Sequence, residues 1–164
     1  MKTLVLVRHS KAEDEYFNDF ERTLTNTGIN KAQKIANSIP LPPSKNVKFV
    51  SSEAPRAFQT AEIFSNFFNL LPADICTHTF LYKYFTLKQF LEFLETKYSN
   101  ENNIWLFGHN PMLTEIAYNL SNGEIYSMPK CAVAYFEISS ENWKFANKLN
   151  SELKFFINPN KLKD

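Results

Sequence analysis

The chain has 164 residues, 44% of them hydrophobic, which fits a single domain over residues 1–164 with a loose tail from about residue 158. Its net charge of +1 gives no reason to expect nucleic acid or a membrane surface as a partner. The apolar start reaches only Val7 before Arg8 and is too short for a signal peptide or a membrane span. We therefore expect a cytoplasmic protein, and one that acts as a monomer.

Apolar periodicity predicts alternating strands and helices in the first half of the chain. In chain order these are a strand over 4–7, a polar loop over 10–26, a helix over 29–39, a strand over 47–50 and a helix reaching 68. Ser52 is the predicted N-cap of that last helix, with Pro55 and Arg56 in its first turn.

The second half continues the same alternation. A weak strand is predicted over 75–79, a helix over 87–98, a strand over 104–107, a helix reaching 120, and a strand over 132–138. Thr86 and Gln89 form a capping-box pattern at the start of the first of these helices. A turn follows over 139–142, and Trp143 is predicted to begin a partner strand. This order predicts an α/β fold, a three-layer α/β/α sandwich with a mainly parallel central sheet.

Basic side chains follow three of the predicted strands. Arg8 and His9 follow the first, Arg56 lies just beyond the second, and His109 follows the strand over 104–107. Because ligands bind at the carboxyl ends of strands in open α/β sheets, we expect these side chains to share one crevice. No acidic side chain is predicted there to neutralise these cationic groups, so a phosphate group is the expected occupant.

These residue types suit phosphoryl transfer. Arginines bind pairs of phosphoryl oxygens, and a neutral histidine can act as a covalent nucleophile. This chemistry needs no cofactor, and we expect none. No metal-ligand spacing is present, and Cys76 and Cys131 are too far apart in sequence to suggest one.

Several segments resemble motifs of the histidine phosphatase superfamily, the phosphoglycerate-mutase-like proteins. Residues 6–10 resemble its Arg-His-Gly motif with Ser10 in place of glycine, residues 52–61 its second motif, and residues 107–110 its second histidine motif. Residues 11–13 and 22–28, with the short length, are similar to the SixA-like phosphohistidine phosphatases. The resemblance implies the phosphoglycerate-mutase-like fold.

The resemblance also implies roles for individual residues. His9 would be the nucleophile, and Arg8, Arg56 and His109 would hold the phosphoryl group. Arg22 would be a further phosphate-binding arginine, although its acidic neighbours Asp19 and Glu21 make a surface ion pair an equal alternative. His78 is expected to be structural or exposed, and the aromatic stretch over 80–85 to be core or pocket wall.

A missing carboxylate bears on the substrate. Members that act on phosphoesters carry a proton-donating Glu or Asp after the third strand, whereas residues 79–91 contain none. Phosphohistidine has a better leaving group than an ester, which favours a phosphohistidine protein as the substrate and partner. Two alternatives stay open. One is a phosphatase for a small phosphoester or phosphoanhydride, with an acid from Glu13, Asp14 or Asp19, and the other is an inactive phosphoprotein-binding module.

Overall fold

A computed structural model describes residues 1–14 and 18–162 of the chain. Its strands are β1 (Lys2–Arg8), β2 (Lys48–Ser52), β3 (Cys76–His78), β4 (Asn103–Gly108), β5 (Val133–Ile138) and β6 (Ser151–Ile157). Its α-helices are α1 (Asn26–Asn37), α2 (Pro55–Phe67), α3 (Leu87–Tyr98) and α4 (Met112–Leu120). Within the described residues, no helix has the length and apolar character needed to cross a membrane.

The strands form one sheet in the order β3-β2-β4-β1-β5-β6. β1 pairs with β4, β4 with β2, and β2 with β3, all in parallel, whereas β5 and β6 complete the sheet by antiparallel pairing. The predicted α/β fold with a mainly parallel sheet is therefore confirmed. The register of β1 on β4 sets Arg8 opposite Gly108, so the two strands end at the same level.

Both faces of the sheet are covered, which explains the unbroken apolar runs of its central strands. Leu4 and Leu6 of β1 belong to a buried cluster with residues of α3 and α4. Val5 and Val7 point the other way, into a cluster with residues of α1 and α2. Alternation along β1 thus divides the core between two helical layers, and the predicted sandwich is observed.

The segment after β5 differs from the prediction. Trp143 does not begin a strand, because Trp143–Phe145 form a 3-10 turn and β6 begins only at Ser151. The Trp143 indole is fully buried, donates a hydrogen bond to the carbonyl of Tyr98 at 2.9 Å, and lies beneath the Lys2 ammonium. Packing on the end of α3 therefore decides the conformation of this segment.

At the C-terminal end, Pro159–Lys161 form a single 3-10 turn after β6. Residues 163 and 164 of the predicted tail lie outside the described residues. The capping box predicted at the start of α3 is confirmed, with both hydrogen bonds between Thr86 and Gln89 present.

The loop that follows β1 is held against two helices by polar contacts. The Ser10 hydroxyl donates to the carbonyl of Gly28 at 2.7 Å, and the Ser10 N–H donates to Thr60 Oγ1 at 3.1 Å. Gly28 lies so close to this loop that an added Cβ would stand 2.0 Å from the carbonyl oxygen of Lys11. Only a residue without a side chain allows α1 to approach the residues that follow His9.

Replacing Gly28 with alanine should destabilise the fold, because the methyl group would collide with backbone rather than with a flexible side chain. Overpacking of this kind typically costs about 1–3 kcal/mol, so thermal denaturation should give a Tm several degrees below wild type. Asn30→Ala, at an exposed position of the same helix, is the control and should not lower the Tm. A Gly28→Ala protein as stable as wild type would contradict this account of the close approach.

Candidate active site

The paired ends of β1 and β4 bring two histidines together. His9 and His109 directly follow these strands, and their ring centroids lie 5.2 Å apart. Both are buried, with 5% and 6% of their surfaces exposed. The sequence-based expectation that both imidazoles share one crevice agrees with this geometry.

One ring nitrogen of His9 is occupied by the backbone. His9 Nδ1 lies 2.7 Å from the carbonyl oxygen of Ser10, which can only accept, so Nδ1 carries the proton and donates it. The other nitrogen, Nε2, then holds a free lone pair. Burial lowers the pKa of His9 to about 3, outweighing the raising effect of the Ser10 hydrogen bond, and the charges of His109, Arg56 and Arg8 lower it further. The ring is neutral at pH 7.

His109 is oriented by Ser52. The Ser52 hydroxyl accepts a hydrogen bond from the N–H of Ala54 at 3.1 Å and lies 2.8 Å from His109 Nε2. The hydroxyl can donate its proton to Nε2, and in that tautomer the proton of the His109 ring lies on Nδ1. His109 Nδ1 is buried without a hydrogen-bond partner. Burial lowers the pKa of His109 to about 4.

The predicted N-cap at Ser52 is wrong. Ser52 is the last residue of β2, and Ala54 caps α2 without a side-chain hydrogen bond. The Ser52 hydroxyl instead contacts His109, a contact across 57 residues of sequence that a local capping pattern does not reveal.

Both predicted arginines are held by the far ends of their guanidinium groups. Arg8 Nη1 donates to the carbonyl of Met128 at 3.0 Å. Arg56 Nη1 donates to the carbonyl of Asp19 at 2.7 Å, and Arg56 Nη2 donates to Asp19 Oδ2 at 3.0 Å. In both residues the Nε atom is buried without a partner. Each guanidinium is thus held at its tip, while its Nε–H has no hydrogen-bond partner.

The unpartnered buried atoms concentrate in this region. Among the described residues, the buried side-chain nitrogen and oxygen atoms without a hydrogen bond are Arg8 Nε, Arg56 Nε, His109 Nδ1 and Ser151 Oγ. All of these except the serine oxygen belong to residues predicted to hold a phosphoryl group. Leaving buried donors unsatisfied is costly, and an anion supplies the acceptor oxygens that such nitrogens need.

Asp19 is the main departure from the predicted site. Its carboxylate accepts hydrogen bonds from Arg22 Nη1 at 2.9 Å, Arg56 Nη2 at 3.0 Å and the Tyr82 hydroxyl at 2.9 Å. The expectation that no group neutralises the cationic crevice is therefore wrong. Asp19 lies between β1 and α1 in sequence, and it contacts Arg56, which is 37 residues away. An isolated antiparallel bridge joins Ala12 to Leu24 on either side of it in the chain.

The Asp19 carboxylate is ionised in this arrangement. Burial acts to raise its pKa, but hydrogen bonds from Tyr82 and Arg22 and the contacts of Arg56 outweigh that effect and lower the pKa to about 2. Arg22 also donates from Nε to the carbonyl of Glu13 at 2.6 Å. Its ion pair with Asp19 is thus present, and through Asp19 it joins the arginine cluster rather than a separate surface pair.

Two further residues belong to this region: Tyr82, from the aromatic stretch expected to be core or pocket wall, and Lys130, which was not predicted. Tyr82 lies edge-on to His109 at 5.6 Å between ring centroids and 5.9 Å from the Arg56 guanidinium carbon. Burial lowers the pKa of Lys130, as do the neighbouring charges of Arg8, Arg22 and Lys11. Tyr82 was visible only as part of an aromatic stretch, and no pattern marks Lys130.

The third histidine has different neighbours. His78 hydrogen-bonds the Tyr98 hydroxyl and packs edge-on against Phe93, both in α3.

Asp14, one of the carboxylates considered as a possible acid, is exposed. Within residues 1–14 and 18–162, no cluster of three or more His, Cys, Asp or Glu side chains could hold a metal ion.

Solved structures share this fold over nearly the whole chain. A SixA-type protein of Agrobacterium tumefaciens superposes with a TM-score of 0.75 at 22% sequence identity, covering 96% of this chain and 98% of its own. The protein histidine phosphatase SixA solved with tungstate has a TM-score of 0.74 at 19% identity, over 98% and 99% of the two chains.

A phosphoserine phosphatase of Entamoeba histolytica, solved with 3-phosphoglyceric acid, superposes less closely. It has a TM-score of 0.67 at 15% identity and covers 96% of this chain and 98% of its own. No protein-family model and no curated protein matches the sequence. The fold that the sequence resemblance implied is therefore confirmed.

The depressed pKa values of the two buried histidines predict a pH-dependent stability. The unfolded chain takes up protons on these rings near pH 6.5, whereas His109 in the folded protein does so only near pH 4 and His9 near pH 3. Between those values the unfolded state binds more protons, so the free energy of unfolding falls as the pH is lowered below the unfolded value. Each histidine contributes a slope of about 1.4 kcal/mol per pH unit.

Urea denaturation of wild type and His109→Gln between about pH 5 and about pH 7 measures this contribution, since the shared carboxylates cancel in the difference. The variant should lose stability less steeply on acidification. Equal slopes in the two proteins would show that the His109 ring is not neutral and buried in solution.

Proposed function

We propose that the protein is a metal-free phosphatase that forms a covalent phosphohistidine on His9 and acts on phosphohistidine carried by a protein. The observation that carries this proposal is the set of buried, unpartnered nitrogens of Arg8, Arg56 and His109 around a neutral histidine. A tetrahedral oxyanion is the ligand that fits them. The related SixA structure with tungstate supports the same reading.

In the first step, the lone pair of His9 Nε2 attacks the phosphorus atom. The bond from phosphorus to the substrate nitrogen breaks, and that nitrogen leaves with the electron pair as part of a neutral imidazole, because the other nitrogen of the substrate ring carries a proton. His9 is ready for this because Ser10 holds its proton on Nδ1. The Nε–H groups of Arg8 and Arg56 and the Nδ1–H of His109 would bind the equatorial oxygens, where charge resides in the transition state.

In the second step, water attacks the phosphohistidine. The bond from phosphorus to His9 Nε2 breaks, the electron pair returns to that nitrogen, and the proton lost by the water ends on phosphate or solvent. Two easier steps thereby replace one difficult displacement.

The substrate preference follows from the acids available near the site. Residues 79–91 carry no carboxylate. Asp19 is held ionised by its donors, so it has no proton to give at neutral pH. An imidazole leaving group makes a weaker demand for protonation than an alkoxide. Phosphohistidine is therefore the substrate whose leaving group can depart from this site without a general acid.

One contact favours a second candidate, a phosphatase for small phosphoesters. The Thr79 hydroxyl donates to Glu53 Oε2 at 2.8 Å, so a carboxylate from the turn before α2 reaches the segment after β3. That segment is where phosphoester-cleaving members carry their acid. Glu53 is exposed, however, and its side chain would have to move toward the leaving group to act as a proton donor.

Replacing His9 with alanine should abolish turnover and the phosphoenzyme while leaving the fold intact, because no other neutral buried imidazole presents a free Nε2. The protein is incubated with a 32P-labelled phosphohistidine protein, quenched in alkali, and assayed for acid-labile label. His78→Gln is the matched control and should be labelled like wild type. Label on His9→Ala would refute the assignment, and a wild type that binds substrate without being labelled would support the inactive binding module.

The absent acid predicts a large substrate preference. General-acid help is worth about two to four orders of magnitude on an ester, so kcat/KM on a phosphohistidine protein should exceed that on serine or sugar phosphates by at least about a hundredfold. Aryl phosphates should fall between, since phenolates leave unaided. If an alkyl phosphate is instead the better substrate and Glu53→Gln removes that activity alone, the small-phosphoester function replaces the proposed one.

A further inference from the structure

We infer that Asp19 is a positioning residue that holds the Arg56 guanidinium, together with Arg22 and Tyr82, in the orientation that presents its Nε–H to the phosphoryl group. This inference rests on the proposed function. Asp19 belongs to none of the motifs that predicted the site, and it was considered there only as a proton donor or as a surface ion-pair partner.

Asp19 contacts Arg56 twice. Its backbone carbonyl accepts from Nη1 at 2.7 Å and its carboxylate accepts from Nη2 at 3.0 Å. Two acceptors from one residue on two guanidinium nitrogens fix both the place and the rotation of a planar group. The Arg56 side chain is only 6% exposed, so solvent does not supply an alternative acceptor of equal quality.

The edge of Arg56 that Asp19 leaves free is the one that a phosphoryl group would use. Both tip nitrogens already donate to Asp19, and Nε is buried without a partner. Arg8 shows the same division, with Nη1 on the Met128 carbonyl and Nε unpartnered. In Arg8 a neutral carbonyl holds the tip, whereas in Arg56 an ionised carboxylate does so.

The carboxylate is itself held from two further directions. Oδ1 accepts from Arg22 Nη1 at 2.9 Å, and Oδ2 accepts from the Tyr82 hydroxyl at 2.9 Å. These donors counter the repulsion between the Asp19 carboxylate and an incoming phosphoryl group. Arg22 and Tyr82 therefore act on the phosphoryl site through Asp19.

Two other roles for Asp19 make different demands. A general acid would need to carry a proton, and the three donors around its oxygens favour the ionised form. A competing anion that blocks the site would occupy the Nε edge of Arg56, and Asp19 uses the opposite end. The three roles predict different kinetics for the same substitution.

The test uses Asp19→Asn and a series of aryl phosphates whose phenols span a range of pKa values. A positioning residue acts on the transferred group, so kcat/KM should fall by about tenfold to a hundredfold by the same factor for every leaving group. Vanadate, which occupies the phosphoryl site, should bind the variant more weakly. Glu21→Gln removes an exposed charge from the same loop and should match wild type in both measurements.

Two results would overturn the inference. A loss that grows with the pKa of the leaving phenol, with vanadate binding unchanged, would make Asp19 a general acid. Vanadate binding that tightens in Asp19→Asn would make Asp19 a competitor for the arginines. Wild type lacking both turnover and vanadate binding would instead show that the proposed function fails.

Tyr82→Phe provides a milder second variant in case Asp19→Asn folds poorly, which its Tm would reveal. The tyrosine hydroxyl acts through Asp19, so this variant should lose a smaller factor, again equal across the aryl series. In the double variant Asp19→Asn/Tyr82→Phe the losses should be less than additive. Fully additive losses would mean that Tyr82 does not act through Asp19, and would contradict the network.

Discussion

The parallel pairing of β1 with β4 is the constraint on which the candidate site depends. It ends both strands at one level, with Arg8 opposite Gly108, so the residues that follow are neighbours in space. The two imidazoles then lie 5.2 Å apart, and both are buried. Burial is also what keeps both rings neutral, because it is the largest cause of their lowered pKa values. One backbone pairing thus supplies both the position and the protonation state of the candidate nucleophile.

The arginines depend on a second constraint. A guanidinium in a buried site needs hydrogen-bond acceptors that fix its orientation but leave an N–H donor available for a ligand. Arg8 donates a hydrogen bond to the backbone carbonyl of Met128, and Arg56 donates to the carbonyl and the carboxylate of Asp19. Each guanidinium keeps its Nε–H unpaired. Preorganised guanidinium groups matter for phosphoryl transfer, because catalysis of that reaction is mainly positioning and electrostatic stabilisation.

The same principle separates this site from a simple cationic pocket. A cluster of arginines without an acidic partner would be destabilised by the repulsion between their charges and would bind any anion. Asp19 reduces that repulsion by pairing with Arg22 and Arg56 while leaving the Nε edge of Arg56 unoccupied. The cost is one negative charge near the proposed phosphoryl site, which the donors of Tyr82 and Arg22 partly offset.

The sequence by itself determined the order of strands and helices, the capping box at Thr86, and the placement of His9, Arg56 and His109 near strand ends, because apolar periodicity and cap chemistry are local properties. Tertiary structure alone decided that Ser52 orients His109, that Trp143 packs on α3, and that Asp19 and Tyr82 enter the site. These contacts join residues that are far apart in sequence. Asp19 lies 37 positions from Arg56 and 63 positions from Tyr82. Periodicity carries no information about them, since a polar loop residue looks the same in sequence whether it faces solvent or a buried guanidinium.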